Sequence, residues 1–330
     1  MQLPIFCVRT ILLILLTLTS TVLGICPSVM ADETVTYRLK WLINASTAGD
    51  VVALHQNCFA REGLDVTLKP GGPERDAIRE LELGYAQFGV ASADQVIRAM
   101  DKGAKVVVVA QLFQVNPLQW IYRPADISIQ TPVDLAGKTV GITYGGNDEA
   151  IMRALLSVSG LKEDKVRLAS VRYDYTPFFQ KKIPIWPVYG NLQGILLEEK
   201  LRENGEAAAF LDPAAFGIRF VANSVVTSQK MMDDDPDTVR RFVSALLEGW
   251  KMAMDPAHGE DTMAVLSRYD KDTPDALLRR QIAVTRKLVQ PDPALPIGHI
   301  DIAAWEATEA IMVKQGLIEK PVGIGKGLRP

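Results

Sequence analysis

The sequence predicts an α/β fold, and three observations carry the prediction. Strand-like and helix-like segments alternate from residue 34 onward, the rhythm of strands joined by covering helices. Lys105–Ala110, KVVVVA, is a continuous apolar run, the pattern of a strand buried on both faces as in a parallel sheet. The rhythm breaks near Gln111–Pro124 and then restarts, so two α/β units follow one another; a length of 330 residues suits two domains.

The first 31 residues read as an export signal rather than as part of this fold. Arg9 supplies the positive start, and Thr10–Leu18 (TILLILLTL) is too short to span a bilayer comfortably. Val29-Met30-Ala31 places compact residues at the −3 and −1 positions of a cleavage site after Ala31. The mature chain is therefore expected in the periplasm. An uncleaved anchor is one alternative; a lipoprotein anchored at Cys26 is another, although Ile25 stands where that reading needs a small residue. Cleavage leaves Cys58 as the sole cysteine, so no internal disulfide can form; in its apolar helical context it reads as a small buried hydrophobe.

The elements then follow in order. Thr34–Leu42 alternates at period two, with Val35, Tyr37, Leu39 and Trp41 on one face of a first strand. A small polar loop leads to a helix over Val51–Glu62, capped by Asp50 or a residue just before it. Gly63 ends that helix, and Leu64–Leu68 is a second strand. Glu74–Leu83 is amphipathic and is stopped by Gly84. Ala86–Val90 is a short strand running into Ser92 and Asp94, which open a helix through Met100. After KVVVVA, Gln111–Pro124 reads as a crossing to the second unit. There, strands are expected at Lys138–Ile142, Val166–Val171 and Ala207–Leu211, with helices after Gly145–Glu149 and over Leu192–Arg202. Ile218–Thr227 has strand character and reads as a return crossing. Asp235-Pro236-Asp237 then starts a helix whose Val239, Phe242, Val243, Leu246, Leu247 and Trp250 share one face. Helices over Pro274–Leu288 and Ile302–Gln315 complete the chain before a Gly- and Lys-rich tail, Pro321–Pro330, which reads as mobile.

Composition excludes several classes of function. Charged residues make up 23% and the net charge is −3, with no basic cluster of the kind that tracks phosphates. No phosphate-binding loop, nucleophile elbow or dinucleotide fingerprint is present. His55, His258 and His299 are far apart without metal-ligand spacing, so neither metal nor cofactor is expected. What stands out is Ser170–Gly194, with six aromatic residues among three prolines, Asp174, Gln180, Asn191 and Gln193. So many rings beside so much polar chemistry suit a site for a flat, polar, ring-shaped molecule. The alternative is a loop packing its rings against its own domain.

Five segments, in order, carry a family resemblance: LKWLIN (Leu39–Asn44), FAREGLDVTL (Phe59–Leu68), FGVASADQVIRAMDKG (Phe88–Gly103), DLAGKTVGITYGGNDEA (Asp134–Ala150) and WPVY (Trp186–Tyr189). Behind an export signal, the chain resembles the SsuA/THI5-like (NMT1-type) solute-binding proteins of ABC importers over about residues 34–320. The resemblance implies a two-lobe, type II periplasmic-binding-protein fold with ligand in the interlobe cleft. One lobe would comprise 32–115 plus 222–330 and the other 116–221. A membrane permease and its ATPase are the implied partners. The thiamine-pyrimidine and riboflavin-like branches come nearest at WPVY, and sulfonate, taurine or nitrate binders are further off. Many relatives carry W-x-P-N-x-x-H where Trp41–Thr47 has neither that Pro nor that His. The THI5-like pyrimidine synthases carry a Cys-rich motif and a reactive His that this chain lacks. Binding without chemistry is therefore the expectation, with such an enzyme, or a sensor acting through a partner, as the alternatives.

In such a fold four loops meet beyond the carboxyl ends of the strands. The first offers Trp41, Asn44 and Ser46; Trp41 either stacks on a ligand or packs from its strand face, and Asn44 either binds or makes a turn. The second offers Ser92 and Asp94, which can cap the next helix, bind, or do both. The third offers Tyr144, Asn147 and Glu149. Helix N–H groups there would attract an anion, but Asp148 and Glu149 favour a neutral or amino-bearing ligand, unless they only complement the helix dipole. The fourth offers Tyr173, Asp174, Trp186 and Tyr189, with Asp174 accepting an N–H and Phe178 and Phe179 packing inward.

Overall fold

The computed structural model describes residues 33–72 and 75–329. The expected leader, with Arg9, Cys26 and the Ala31 cleavage site, lies outside the described residues. The chain begins β1 (Glu33–Arg38), α1 (Ala48–His55), α2 (Cys58–Arg61), β2 (Leu64–Lys69), α3 (Ala77–Glu82), β3 (Phe88–Ala91), α4 (Ala93–Asp101), β4 (Val106–Gln111). It continues β5 (Leu118–Tyr122), β6 (Thr139–Ile142), α5 (Asn147–Val158), β7 (Arg167–Ser170), α6 (Thr176–Phe179), β8 (Trp186–Tyr189), α7 (Gln193–Glu203) and β9 (Ala209–Leu211). It ends β10 (Ser224–Ser228), α8 (Gln229–Asp234), α9 (Pro236–Met254), α10 (Gly259–Leu266), α11 (Asp275–Val289) and α12 (Ile302–Lys314).

A five-stranded sheet in the order β2-β1-β3-β10-β4 forms the first unit. β1 is parallel to β2 and β3, with Tyr37 opposite both Leu68 and Phe88. β10 arrives from the far end of the chain and inserts antiparallel between β3 and β4, Val225 lying opposite Val90 and Ala110. The strand KVVVVA is thus nearly fully buried, as its apolar run requires, but its sheet partner is antiparallel. In the second unit β8-β5-β9 is antiparallel and β6-β7 is parallel; Gly141 donates its N–H to the Ile185 carbonyl, joining the two. The stretch expected as a plain crossing therefore holds β5, whose Trp120 is fully buried and donates to the Gly141 carbonyl at 2.9 Å. WPVY is likewise a strand; Pro187 is tolerated because β8 is an edge.

α9 covers one face of the first sheet. Its Phe242 meets Tyr37 edge-on at 5.1 Å and stacks on Phe59 at 5.2 Å. It presses on α1 so closely that a Cβ at Gly49 would lie 2.1 Å from the Trp250 ring, and one at Gly249 would lie 2.4 Å from the Ala53 Cβ. Asp50 is buried under this contact, accepting hydrogen bonds from the Tyr37 hydroxyl (2.7 Å) and the Trp250 indole (3.4 Å), and burial pushes its carboxyl up to about 7. Asp50, expected as the cap, lies inside α1, whose N-cap Thr47 makes no side-chain cap bond; Asn44 instead caps the 3-10 turn at Ala45–Thr47 that leads into α1. The single helix expected over Val51–Glu62 is broken because Asn57 takes a left-handed φ of 55°, a conformation asparagine tolerates. On the other sheet face a continuous apolar cluster runs from Ile78 and Val96 through Trp305 to Trp120, Ile142 and Ile151, linking the two units.

The tail is not the free end that its glycines and lysines suggest. Ile324 and Leu328 are buried, and Arg329 donates its N–H to the Val108 carbonyl at 2.9 Å, so the tail lies along the outer edge of β4. An edge strand otherwise offers unpaired backbone groups, and covering it satisfies them.

Candidate functional site

The turn after β1 places Trp41, Asn44 and Ser46 at the top of the first sheet. β1 ends at Arg38, so Trp41 leaves the period-two face it was expected to share with Tyr37 and Leu39. It is half-buried, and its ring lies 5.6 Å from that of Tyr173, tilted by 40°. This is a contact between the units, because Tyr173 follows β7. Asn44 resolves to its turn-making alternative: its Oδ1 accepts the Ser46 N–H at 2.8 Å and its Nδ2 donates to the Leu42 carbonyl at 3.0 Å. Ser46 is buried, and its Oγ accepts from Asn191 Nδ2 at 2.8 Å, a second contact between the units.

Ser92 and Asp94 sit buried where β3 passes into α4. The Ser92 Oγ donates to Asp94 at 2.6 Å, while Gln95 Oε1 accepts the Ser92 N–H at 3.1 Å. These bonds stay within the turn that opens α4, and among the described residues no hydrogen bond or ring contact joins the two side chains to the other loops.

The loop from β6 into α5 turns through Gly145, whose φ of 81° suits glycine. Asp148, not Glu149, is the buried acid here. It accepts the Thr143 N–H at 2.6 Å, yet burial pushes its carboxyl up to about 6 against the lowering effect of that bond. Glu149 folds back to accept the Gly145 N–H at 2.6 Å and pairs with Arg153, so its carboxylate is engaged within its own loop. Asn147 donates to the Tyr189 hydroxyl at 3.4 Å. Tyr144 turns away; it is exposed, and its hydroxyl reaches the Leu168 carbonyl of β7 at 3.4 Å.

The aromatic stretch divides differently from expectation. Tyr173 is largely exposed; partial desolvation raises its hydroxyl, Arg172 opposes this, and the nearby Tyr189 and Asp148 raise it further. Asp174 is exposed; hydrogen bonding with Thr176, through its side chain first and its N–H (2.9 Å) second, holds the carboxyl below the usual range and engages it in the turn entering α6. Trp186 is a clear correction. It is buried in the second unit beside Phe178 (6.4 Å) and Tyr175 (6.0 Å), with Ile121, Val188 and Leu197 around it. The reason is pleating: successive residues of β8 face opposite ways, so Trp186 and Val188 go to the core while Tyr189 faces Asn147. Read as a loop, WPVY does not separate its two rings.

The loops therefore bring together Trp41, Tyr173, Tyr189, Asn147 and Asp148, while the Ser46–Asn191 bond ties the turn after β1 to the loop that follows β8. Tyr144, Glu149, Asp174 and Trp186 are engaged elsewhere. Asn191 was among the amides of the aromatic stretch, but nothing in the sequence distinguished it from Gln180 or Gln193. The site offers two facing rings, a tyrosine–amide pair and one buried acid, a set able to stack a flat molecule and accept its N–H groups. A ring inserted between Trp41 and Tyr173 needs about 7 Å, two contacts of ~3.5 Å, so the present pair must part to admit one.

Comparison with known proteins agrees with this architecture. Residues 44–258 match the family model described as NMT1/THI5 like. The riboflavin-binding protein RibY of Chloroflexus aurantiacus is 25% identical over 311 residues, 88% of this chain and 84% of that protein. The formylaminopyrimidine-binding protein of Halalkalibacterium halodurans is 22% identical over 324 residues, 96% of each chain. Among solved structures, the periplasmic aliphatic sulphonate binding protein SsuA of Escherichia coli superposes with a TM-score of 0.71 at 16% identity, covering 90% of this chain and 92% of that one.

Proposed function

We propose, from the premise that this chain belongs to the NMT1/THI5-like family, that it is the solute-binding component of an ABC importer for a flat heteroaromatic nutrient. The solute class is that of the thiamine-pyrimidine precursors or riboflavin-like compounds, as the names of the two relatives support. Residues 32–115 with 222–330 form one lobe, and 116–221 the other. The leader directs the protein to the periplasm, where the closed, loaded form docks on a permease served by an ATPase.

The observation that carries the solute class is the Trp41–Tyr173 pair, contributed by both units, beside the buried Asp148. Rings recognise a flat solute with little ordering cost, and a carboxylate accepts its N–H groups. The same carboxylate repels a sulfonate, so the likeness to SsuA is read as one of fold. Ser92 and Asp94 remain candidates at the cleft's first-unit wall.

Mass spectrometry of the small molecule that co-purifies with the mature protein, followed by calorimetric titration with riboflavin, an aminopyrimidine and an alkanesulfonate, tests this reading. Binding of riboflavin or the aminopyrimidine supports it; binding of the sulfonate alone overturns the solute class.

A further inference from the structure

Asn191 lies in the loop from β8 to α7, wholly buried. Its Nδ2 donates to Ser46 Oγ in the turn after β1 and to Thr285 Oγ1 on α11, each at 2.8 Å. Both acceptors belong to the first unit and both are buried. The amide orientation follows from the hydroxyls. Thr285 donates its only proton to the Gln281 carbonyl at 2.8 Å, so its oxygen can only accept from Asn191. With Nδ2 turned to the two hydroxyls, Asn191 Oδ1 is left buried with no protein donor.

Among the described residues, side chains of the two units also meet at the Trp41–Tyr173 pair, where Leu192 packs into the first unit's core, and where Arg280 of α11 pairs with Glu198 and Glu199 of α7. The ion pairs are partly exposed and hold the units only weakly. Each of the two hydrogen bonds from the buried amide contributes about 1 kcal/mol net, and both must be exchanged for water at once when the units part. The node lies two residues beyond Tyr189, whose hydroxyl accepts from Asn147 in the site itself.

We propose that Asn191 is the latch that couples solute binding to lobe closure: its amide N–H groups lock Ser46 and Thr285 to the second unit, and its unpartnered Oδ1 accepts a hydrogen bond from an N–H or O–H of the enclosed solute. The inference rests on the solute-binding reading for its second half, while the first half concerns the chain alone. In the absence of solute the latch holds part of the population shut; the solute adds the bond that the protein leaves unmade.

Small-angle scattering of the mature chain, without solute and with riboflavin or an aminopyrimidine, separates these parts. Asn191→Ala should shift the solute-free equilibrium toward the open form by about tenfold or more, seen as a larger radius of gyration at an intact melting transition. Thr285→Val keeps the volume, removes one latch bond and leaves Oδ1 in place. It should open the chain less, and should weaken solute binding about tenfold less than Asn191→Ala does. If Asn191→Ala does not fold, Thr285→Val and Ser46→Ala carry the scattering test. An unchanged radius in every variant overturns the latch. Equal loss of affinity in Asn191→Ala and Thr285→Val overturns the acceptor role. If neither probe binds the native chain, the solute class fails and so does the acceptor role for these solutes, yet the solute-free scattering still decides the latch.

Discussion

Replacing Trp186 by alanine tests the division of the aromatic stretch most directly. Trp186 is 2% exposed and is the largest of the seven buried residues that make the core between α6, α7 and β8. Truncating a buried tryptophan costs about 3–5 kcal/mol, the lost transfer energy plus a cavity that its neighbours only partly fill. Phe178 and Tyr175 lose their ring partner at the same time. Against a total stability of about 5–15 kcal/mol, this is a large fraction. The melting temperature should fall by roughly 10 °C. Solute affinity of the folded fraction, titrated well below the transition, should stay within about twofold of the native chain, since a core residue touches no ligand. Trp41→Ala should do the opposite, leaving melting within a few degrees and weakening binding about tenfold through the lost ring. A Trp186→Ala protein that melts normally but no longer binds would show that the ring faces the cleft after all, and would refute the assignment.

Three further outcomes follow from the packing and the electrostatics. The folded-state carboxyl of Asp148 titrates at about 6 against an ordinary 3.8, so the fold favours its protonated form. That stabilisation is complete below about pH 4 and is lost as pH rises through about 6. Asp148→Asn should therefore raise stability at pH 8 by on the order of 2–3 kcal/mol and leave it unchanged at pH 4, in paired denaturant titrations. The same variant should lose affinity for an amino-bearing solute, whose binding to the native chain should strengthen as pH rises through that window. Gly249→Ala would add ~1 kcal/mol of helix propensity on an exposed helix, but its Cβ lies 2.4 Å from that of Ala53; overpacking of about 1–3 kcal/mol should win, and a higher melting temperature would contradict the α1–α9 contact. Deleting residues 323–330 strips Ile324 and Leu328 from the core and uncovers β4, so stability should drop by about 3–5 kcal/mol and light scattering should report association; a fully native truncated chain would mean the tail's docking contributes nothing.

The local grammar of this chain was well legible. Asp235 caps α9 through the Thr238 N–H; of the expected helical stripe, Val239, Phe242, Leu246 and Trp250 are buried, and Val243 and Leu247 half-buried at its margin. Gly63, Gly84 and the apolar KVVVVA run marked their boundaries closely. These features depend on neighbours within a few residues, which is the range over which propensity and periodicity act. The strands β5 and β8 were not legible, because each is short and contains or follows a proline; their extended form depends on pairing with each other across the second unit.

The site shows the same boundary between local and non-local information. From the residues alone came the α/β alternation, the concentration of rings at 170–194, and the negative charge at the start of α5 that argues against an anionic solute. Tertiary structure decided which atoms are free. It engaged Glu149 with Gly145 and Arg153 and left Asp148 as the buried acid; it sent Trp186 inward and Tyr189 outward; it joined Trp41 to Tyr173 and Asn191 to Ser46 across more than a hundred residues of chain. Residue type limits what a side chain can do, but burial and the partners that reach it from distant segments determine which of those things it does, and a linear sequence does not contain those distances.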